Sequence, residues 1–540
     1  MTQTLRAADI LARRLAAAGC RFAFGMPGGE VLTLVDALEK AGIRFVLAKH
    51  ENAAAFMAEA SWHRTGAPGI LLGTLGPGVL NGVNAIANAE QDRVPLIVLA
   101  GCVDADVAHS YTHQVLEQTA VLGPITKASF TLSAGAAEII ADKAVSIALE
   151  GRMGPVHIDV PISVATQAVP AQQSGAPLRA PGSATAPAGD ALVQARAALR
   201  AAKRPLVIAG VDAMNENAET EIAEFCERFN APLITSYKAK GTLPEDHALA
   251  LGGAGLSPLA DTHLLPVVDA ADLVICAGYD PIEMRPGWRD PWDPATKTVI
   301  DISPAPSHHY MYQATLNIVA PVAPSLRAIA DGISPQDTWP NSEIETCKSA
   351  LAAAFPSDET WGPGAIIDTC RSTLPRDTLA TADSGAHRIL LSQQWRCFEP
   401  RALVQSSGLC TMGCAVPLAI GTSLIEPERC VISFSGDAGL LMVAGELSTA
   451  AELDLRPIFL VFVDASLALI EKKQRARQLP NAGVDFGRHD FAALGRAFGG
   501  AGFDVHSRSD LEAALEQAQS TQTFSVIAAH IDKGAYDDRI

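Results

Sequence analysis

Short uninterrupted runs of apolar, often β-branched residues, each followed by a longer stretch with helical spacing, recur along the whole chain and constrain its fold more than any other feature. Strands that are apolar throughout are buried on both faces. They are parallel and reached by crossovers, usually helices that cover the sheet. The alternation predicts an α/β fold of three tandem doubly wound parallel-sheet domains. In the first block the strand candidates are 21–25, 44–48, 69–74, 95–100 and 156–160, alternating with helices such as 7–18 and 51–62. The second block offers 205–209, 232–235, 273–277 and 298–302, and the third 378–380, 430–435, 458–463 and 525–530. Residues 166–188, rich in Ala, Pro, Gly, Ser and Gln, read as a linker between domains at 1–165 and 189–335. A second break at 336–362, which carries a helix at 342–355, precedes a domain at 363–540.

A chain of 540 residues has room for several separate cores. Its formal charge of −18 argues against a nucleic-acid partner, because a phosphate backbone needs a basic face. No membrane is expected either: the richest apolar stretch, 69–89, is interrupted by Gly76, Pro77 and Gly78. The ten cysteines are scattered, with Cys410 and Cys414 the one close pair, and show neither zinc spacing nor a CxxC motif. With no secretory leader in residues 1–14, reduced thiols in a cytoplasmic protein are expected.

Ligands of open α/β sheets bind beyond the carboxyl ends of strands, so motifs there come first. Ser435-Gly436-Asp437-Ala438-Gly439 directly follows the apolar run 430–434 and opens the helical run 440–453. Small residues let backbone amides approach a phosphate, and a helix N-terminus adds partial positive charge. Asp437 is a hard oxygen ligand suited to Mg²⁺, and Asp464, 27 residues later, ends the next apolar strand. An N-capping aspartate explains the first of these alone. The strand–turn–helix–strand–Asp arrangement favours a shared metal.

These residues resemble the diphosphate signature of thiamine diphosphate (ThDP) enzymes, in which an Asp, a later Asn or Asp and a backbone carbonyl, here that of Ser466, hold Mg²⁺. Ala438 stands where the family has a glycine and Val463 where it has an asparagine. Lys49-His50-Glu51-Asn52, after the run 44–48, resembles the motif whose glutamate polarises the coenzyme's aminopyrimidine, which assigns that role to Glu51. A glutamate opening a helix is also what the helix dipole favours. Met26-Pro27-Gly28-Gly29 and Gly76-Pro77-Gly78 resemble the family's two glycine turns, so Pro27, Gly28 and Gly76 are expected at the coenzyme. The resemblance implies pyrimidine-binding, central and diphosphate-binding domains in that order. It also implies a homodimer or homotetramer with active sites at the subunit interface, since the glutamate and the diphosphate site come from different subunits.

Further segments resemble the FAD-independent, catabolic acetolactate synthases. Thr112-His113-Gln114 matches their N-terminal active-site segment, and Asp383-Ser384-Gly385-Ala386-His387 their diphosphate-contacting one, assigning Ala386 and His387 to the coenzyme. Gly408-Leu409-Cys410-Thr411-Met412-Gly413 matches the segment that grips the aminopyrimidine through the Cys410 carbonyl, with Met412 holding the coenzyme bent. Gly278-Tyr279-Asp280-Pro281-Ile282-Glu283 and Val484-Asp485-Phe486-Gly487 extend the likeness. On chemistry alone, His113 and Gln114 could position a substrate carbonyl or simply face solvent, and Met412 fits plain core packing equally well. Lys473 falls where relatives carry a substrate-facing residue, and could bind an acceptor carboxylate or belong to a solvated Glu/Lys helix face. FAD is not expected, because no GxGxxG follows a strand of the middle block. The implied function is decarboxylation of pyruvate, or a close 2-oxo acid, with transfer to a second 2-oxo acid. A ThDP decarboxylase, a carboligase with another acceptor and a non-catalytic paralogue remain alternatives.

Overall fold

The computed structural model describes residues 4–170, 185–282 and 284–540. Among these, three six-stranded sheets, parallel throughout, contain every strand except the antiparallel pair Thr4–Arg6 and Ala168–Pro170. Their central strands are rich in Val, Ile and Leu and buried along their length, as in Gly69–Gly73, Leu273–Ala277 and Ile458–Val463. Helices on both faces supply the covering layers.

Across the first sheet the order is Arg44–Leu47, Phe22–Met26, Gly69–Gly73, Leu96–Cys102, Pro155–Pro161 and Ala128–Thr131. Across the third it is Leu403–Gln405, Leu379–Ala382, Val431–Gly436, Ile458–Val463, Ser525–His530 and Ala501–Val505. Counted along the chain, both follow the order 2-1-3-4-6-5. The middle sheet, with Ala250–Gly253 and Leu316–Val319 at its edges, follows 3-2-1-4-5-6. Each sheet has one point where neighbouring strands send their crossovers in opposite directions, which opens a crevice at their carboxyl ends. In the first sheet that point lies between Phe22–Met26 and Gly69–Gly73, and in the third between Leu379–Ala382 and Val431–Gly436.

The chain forms two compact units. One comprises Met1–Gly182, Gly408–Glu428 and Met442–Arg456; the other comprises Ser183–Ser407, Arg429–Leu441 and Pro457–Ile540. The middle and third sheets thus share a unit, while helices Ala415–Ile425 and Glu446–Glu452 of the third block belong with the first sheet. Helix Ala415–Ile425 is apolar all round and packs along helix Glu51–Thr65. A Cβ on its Gly421 would lie 2.7 Å from the Met57 carbonyl oxygen and 2.8 Å from the Ala60 Cβ, so the contact depends on glycine.

Three stretches differ in detail from the sequence expectation. The first linker contributes the strand Ala168–Pro170, and its residues 171–184 lie outside the described residues. The second linker's helix, Glu343–Ala354, packs on Pro258–Ala270, and Trp339 and Cys347 join the middle core. The helical run 440–453 is two helices, Asp437–Val443 and Glu446–Glu452, because Ala444 and Gly445 break it.

Candidate active site

The expected site residues fall into clusters at the carboxyl ends of the first and third sheets. In the first, Glu51 opens helix Glu51–Thr65 just beyond strand Arg44–Leu47. His50 caps that helix, its Nδ1 accepting from the Asn52 amide at 3.1 Å. Glu51 is only 5% exposed, so its carboxylate is largely withdrawn from water. Asn81 Nδ2 donates to its Oε2 at 2.9 Å, and Oε1 faces Gly78, where a Cβ would stand 3.3 Å away. Gly28 abuts Thr74, whose hydroxyl donates to Glu30 Oε2 at 2.9 Å; a Cβ there would meet Thr74 Oγ1 at 2.4 Å. Pro27 stands exposed beside it.

Gly76, at φ +65°, presses against the Gln114 backbone: a Cβ on it would lie 3.2 Å from the Gln114 carbonyl oxygen. The Gly76 amide donates to Gln118 Oε1 at 2.9 Å, and Gln118 Nε2 donates to Asp159 Oδ1 at 2.5 Å and to the Gly101 carbonyl at 3.0 Å. This buried polar chain fixes the second glycine turn. Gly28, Gly76, Glu51 and Gln114 therefore follow four different strands of one sheet and line a single strand-end crevice. His113 is exposed on the same loop, with its ring edge-on to Tyr111 at 6.3 Å.

Cys410 and Met412 belong to this unit as well. Their segment is anchored by Asp92 Oδ1, which accepts from the Gly408 amide at 2.7 Å, and by Asn84, which donates to Thr411 Oγ1 at 3.2 Å. Cys410 is exposed and Met412 half-buried. Three non-glycine residues of candidate segments hold left-handed backbone: Gln114 at φ +58°, Cys410 at φ +51° and Ala465 at φ +57°. Such strain persists where surrounding structure fixes it, which is common at ligand sites.

In the second cluster, Asp437 starts helix Asp437–Val443 directly after strand Val431–Gly436. Its Oδ1 accepts from the Ala438 amide at 2.8 Å, and its Oδ2 from the Ala465 and Asp464 amides at 2.7 and 3.2 Å. Asp464, at the end of strand Ile458–Val463, accepts from the Ser466 amide at 3.0 Å. Burial, and then the neighbouring Asp437 charge, raise the Asp464 carboxyl to about 7; burial also raises Asp437, against its backbone hydrogen bonds. Two buried carboxylates that disfavour one another's charge fit a divalent cation, which would relieve both penalties. Among the described residues no three His, Cys, Asp or Glu side chains converge as ligands. Two aspartates completed by a carbonyl and phosphate oxygens suit Mg²⁺.

Ala438 lies within helix Asp437–Val443 and is not among the left-handed residues, so its methyl brings no backbone strain. Gly436 stands against the His387 ring; a Cβ there would be 3.5 Å from His387 Cε1. His387, in the first turn of helix Ala386–Gln394, stacks on Phe462 at 5.3 Å. Burial lowers its pKa to about 3, so its ring is neutral. His387 Nε2, Ser384 Oγ and Ser435 Oγ are buried without a protein hydrogen-bond partner. Orphaned donors beside a helix N-terminus and a Gly-Asp turn fit a diphosphate.

Ser466 Oγ donates to Asp485 Oδ1 at 2.8 Å, and the Leu467 and Phe486 amides tie the two segments together. This clasp gives Val484-Asp485-Phe486-Gly487 a role in fixing the Asp464 loop. Lys473 is exposed on helix Ala468–Ala476, which buries no residue and carries an Arg475–Glu471 ion pair. That setting is the solvated charged face rather than an enclosed pocket. In the middle domain Tyr279 and Asp280 are buried at the end of strand Leu273–Ala277, and Glu283 lies outside the described residues. Sequence reading missed Asn81, Gln118, Asp159 and Glu446. The last accepts from the Lys49 and His50 amides at 2.9 and 3.0 Å.

Comparison with known families and proteins assigns a family to most of the chain. Residues 5–121 match the family described as "Thiamine pyrophosphate enzyme, N-terminal TPP binding domain". Residues 192–329 match its central domain and 383–529 its C-terminal TPP binding domain. An acetolactate synthase of Bacillus subtilis is 30% identical over 548 aligned residues, covering 99% of this chain and 94% of the relative. A catabolic acetolactate synthase of Raoultella terrigena is 30% identical, covering 98% and 96%. A probable 2-ketoarginine decarboxylase of Pseudomonas aeruginosa is 31% identical, covering 95% and 92%.

Proposed function

Because the chain belongs to the thiamine pyrophosphate enzyme family, we propose that it is an acetolactate synthase, releasing CO₂ from one pyruvate and joining the remaining two-carbon unit to a second 2-oxo acid. The observation that carries this reading is the buried Glu51 at a glycine-walled strand end, with one carboxylate oxygen held by Asn81 and the other facing Gly78.

Thiamine diphosphate, when bound, supplies the carbon that adds to the 2-oxo carbonyl and the electron sink for loss of CO₂. Glu51 holds a proton at Oε1 and shares it with the aminopyrimidine, while Asn81 keeps Oε2 from turning away. Gly28 and Gly76 leave room where a side chain would collide with Thr74 or the Gln114 backbone. In the other cluster His387 Nε2 and Ser384 Oγ donate to the diphosphate, and Asp437, Asp464 and the Ser466 carbonyl hold Mg²⁺. Gly436, Ala438 and Gly439 form the turn beneath the phosphates. Ala386 opens the helix beside them. The Cys410 carbonyl and Met412 grip the pyrimidine, and His113 and Gln114 orient the substrate carbonyl. Lys473, although solvated, is the cation assigned to the acceptor carboxylate.

The active enzyme is a cytoplasmic homodimer or homotetramer in which Glu51 of one chain serves the coenzyme held by Asp437 of another. No FAD is used. Buried Asp212 and Asp280 at the carboxyl ends of the middle sheet oppose a pyrophosphate there.

The likeness to a 2-ketoarginine decarboxylase supports a second reading, a ThDP decarboxylase of another 2-oxo acid. Incubation with ThDP, Mg²⁺ and a panel of 2-oxo acids, with CO₂ followed and products identified by mass spectrometry, separates the two. Acetolactate from pyruvate is expected. Acetaldehyde from pyruvate without acetolactate refutes the synthase.

A further inference from the structure

Glu446 is a carboxylate in an unusual position. It is 2% exposed, at the first residue of helix Glu446–Glu452, yet it caps no turn of that helix. Its Oε1 instead accepts from two consecutive backbone amides of a distant segment, Lys49 at 2.9 Å and His50 at 3.0 Å. Its Oε2 accepts from Thr449 Oγ1 at 2.8 Å, which locks the side-chain torsion that points Oε1 at those amides. Burial raises its pKa, and the three hydrogen bonds oppose that shift.

Lys49 and His50 are the last two residues before Glu51. The strand ends at Leu47, and the Ala48 amide still bonds to the Gly25 carbonyl, so the peptides of 49 and 50 are where the chain leaves the sheet. We propose that Glu446 is a positioning residue for Glu51: by clamping both amides it fixes the direction from which the Glu51 carboxylate enters its crevice. The proposal rests on the role assigned to Glu51 above. A second link from the same helix, Lys49 Nζ to Glu452 at 2.6 Å, involves a carboxylate that is 52% exposed and is too solvated to do the same. Releasing the two amides lets the peptide rotate, and displacement of a reacting group by about 1 Å costs on the order of 10²-fold in rate.

The test compares Glu446→Ala, Glu446→Gln, Glu452→Gln and Glu51→Gln. Three quantities are read: exchange of the ThDP C2 proton with D₂O by quenched NMR, the ThDP Kd by calorimetry with Mg²⁺, and amide deuterium uptake of a peptide spanning 47–52 in the coenzyme-free protein. Glu446→Ala should expose the 49 and 50 amides and slow C2 exchange at least tenfold, with the Kd within threefold of wild type. Glu446→Gln keeps a carbonyl oxygen where Oε1 stands, so it and Glu452→Gln should stay within threefold. If Glu446→Ala does not fold, Thr449→Val unlocks the carboxylate instead and should slow exchange severalfold. Wild-type exchange in Glu446→Ala, or in Thr449→Val when that variant stands in, overturns the positioning role, whatever happens to Tm. An equal loss in Glu446→Gln overturns it too, since charge rather than geometry would then matter. Undiminished exchange in Glu51→Gln would sink the reading of Glu51 itself and this inference with it, whereas collapse there with normal exchange in Glu446→Ala would sink the inference alone.

Discussion

Glu51 and His387 show how far single residues carry the chemistry. The Glu51 carboxylate is buried, bonded on one oxygen and open on the other, so Glu51→Gln should cut kcat by roughly 10²–10⁴-fold, the usual worth of a positioned acid–base group, while the ThDP Kd measured by calorimetry changes little. His387 is held neutral by burial, its pKa lowered to about 3 from 6.5. Between those values an unfolded chain binds a proton that the folded chain does not. Stability from this group is therefore complete above 6.5 and is lost as pH falls towards 3, with a slope of up to about 1.4 kcal/mol per pH unit. Urea midpoints of the coenzyme-free protein should depend less on pH in this window for His387→Gln than for wild type. Both residues were singled out in the sequence by resemblance to family motifs, and each follows a strand within a few positions, where an open sheet places its ligands. Glu446 was not: it meets its target across 396 residues, and a Glu inside the helical run 440–453 looks like any solvated helix residue. Asn81, Gln118 and Asp159 were missed for the same reason, since hydrogen bonds between elements far apart in sequence leave no local pattern.

Elements were read well where burial is symmetric and poorly where it is not. Every interior strand of the three sheets was foreseen within a residue or two, because burial on both faces writes an uninterrupted apolar run. The five strands of these sheets that escaped, Ala128–Thr131, Ala250–Gly253, Leu316–Val319, Leu403–Gln405 and Ala501–Val505, all lie at sheet edges, and the small pair Thr4–Arg6 and Ala168–Pro170 escaped as well. Paired on one side only, they tolerate polar residues and glycine, as in Ala128-Ser129-Phe130-Thr131 and Ala501-Gly502-Phe503-Asp504. Of the helix pair Ala415–Ile425 and Glu51–Thr65 only the second was read from the sequence, and the contact between them was not. Its dependence on Gly421 sets helix propensity against packing. Alanine in a helix interior is favoured over glycine by about 1 kcal/mol, but the added methyl would press on the Met57 backbone oxygen, which has no rotamer to move into. Overpacking of this kind costs about 1–3 kcal/mol, so Gly421→Ala should lower the urea midpoint despite its better propensity. A raised midpoint would mean that the two helices can separate at little cost.

For the whole molecule, the sequence conveyed three α/β blocks but not that the first and third share the strand order 2-1-3-4-6-5 while the middle one differs. Periodicity says that a crossover exists, not which way along the sheet it travels, and strand order is the sum of those choices. The shared order leaves each outer sheet with a crevice in the same topological place, and the chemistry is divided between them. The first crevice holds the acid Glu51, and the third holds the paired aspartates and the orphaned donors Ser384, His387 and Ser435. Neither set alone can both anchor a diphosphate and polarise a pyrimidine, so a working site needs one of each. If they come from different chains, as proposed, Glu51→Gln and Asp437→Asn chains should each be inactive alone and active together. In a hybrid dimer one site carries both defects and the other carries neither. Random reassociation makes half the dimers hybrids, so equal mixtures unfolded and refolded together should regain about one quarter of wild-type activity per site. Sites built within single chains would regain none, since every site in the mixture would keep one defect.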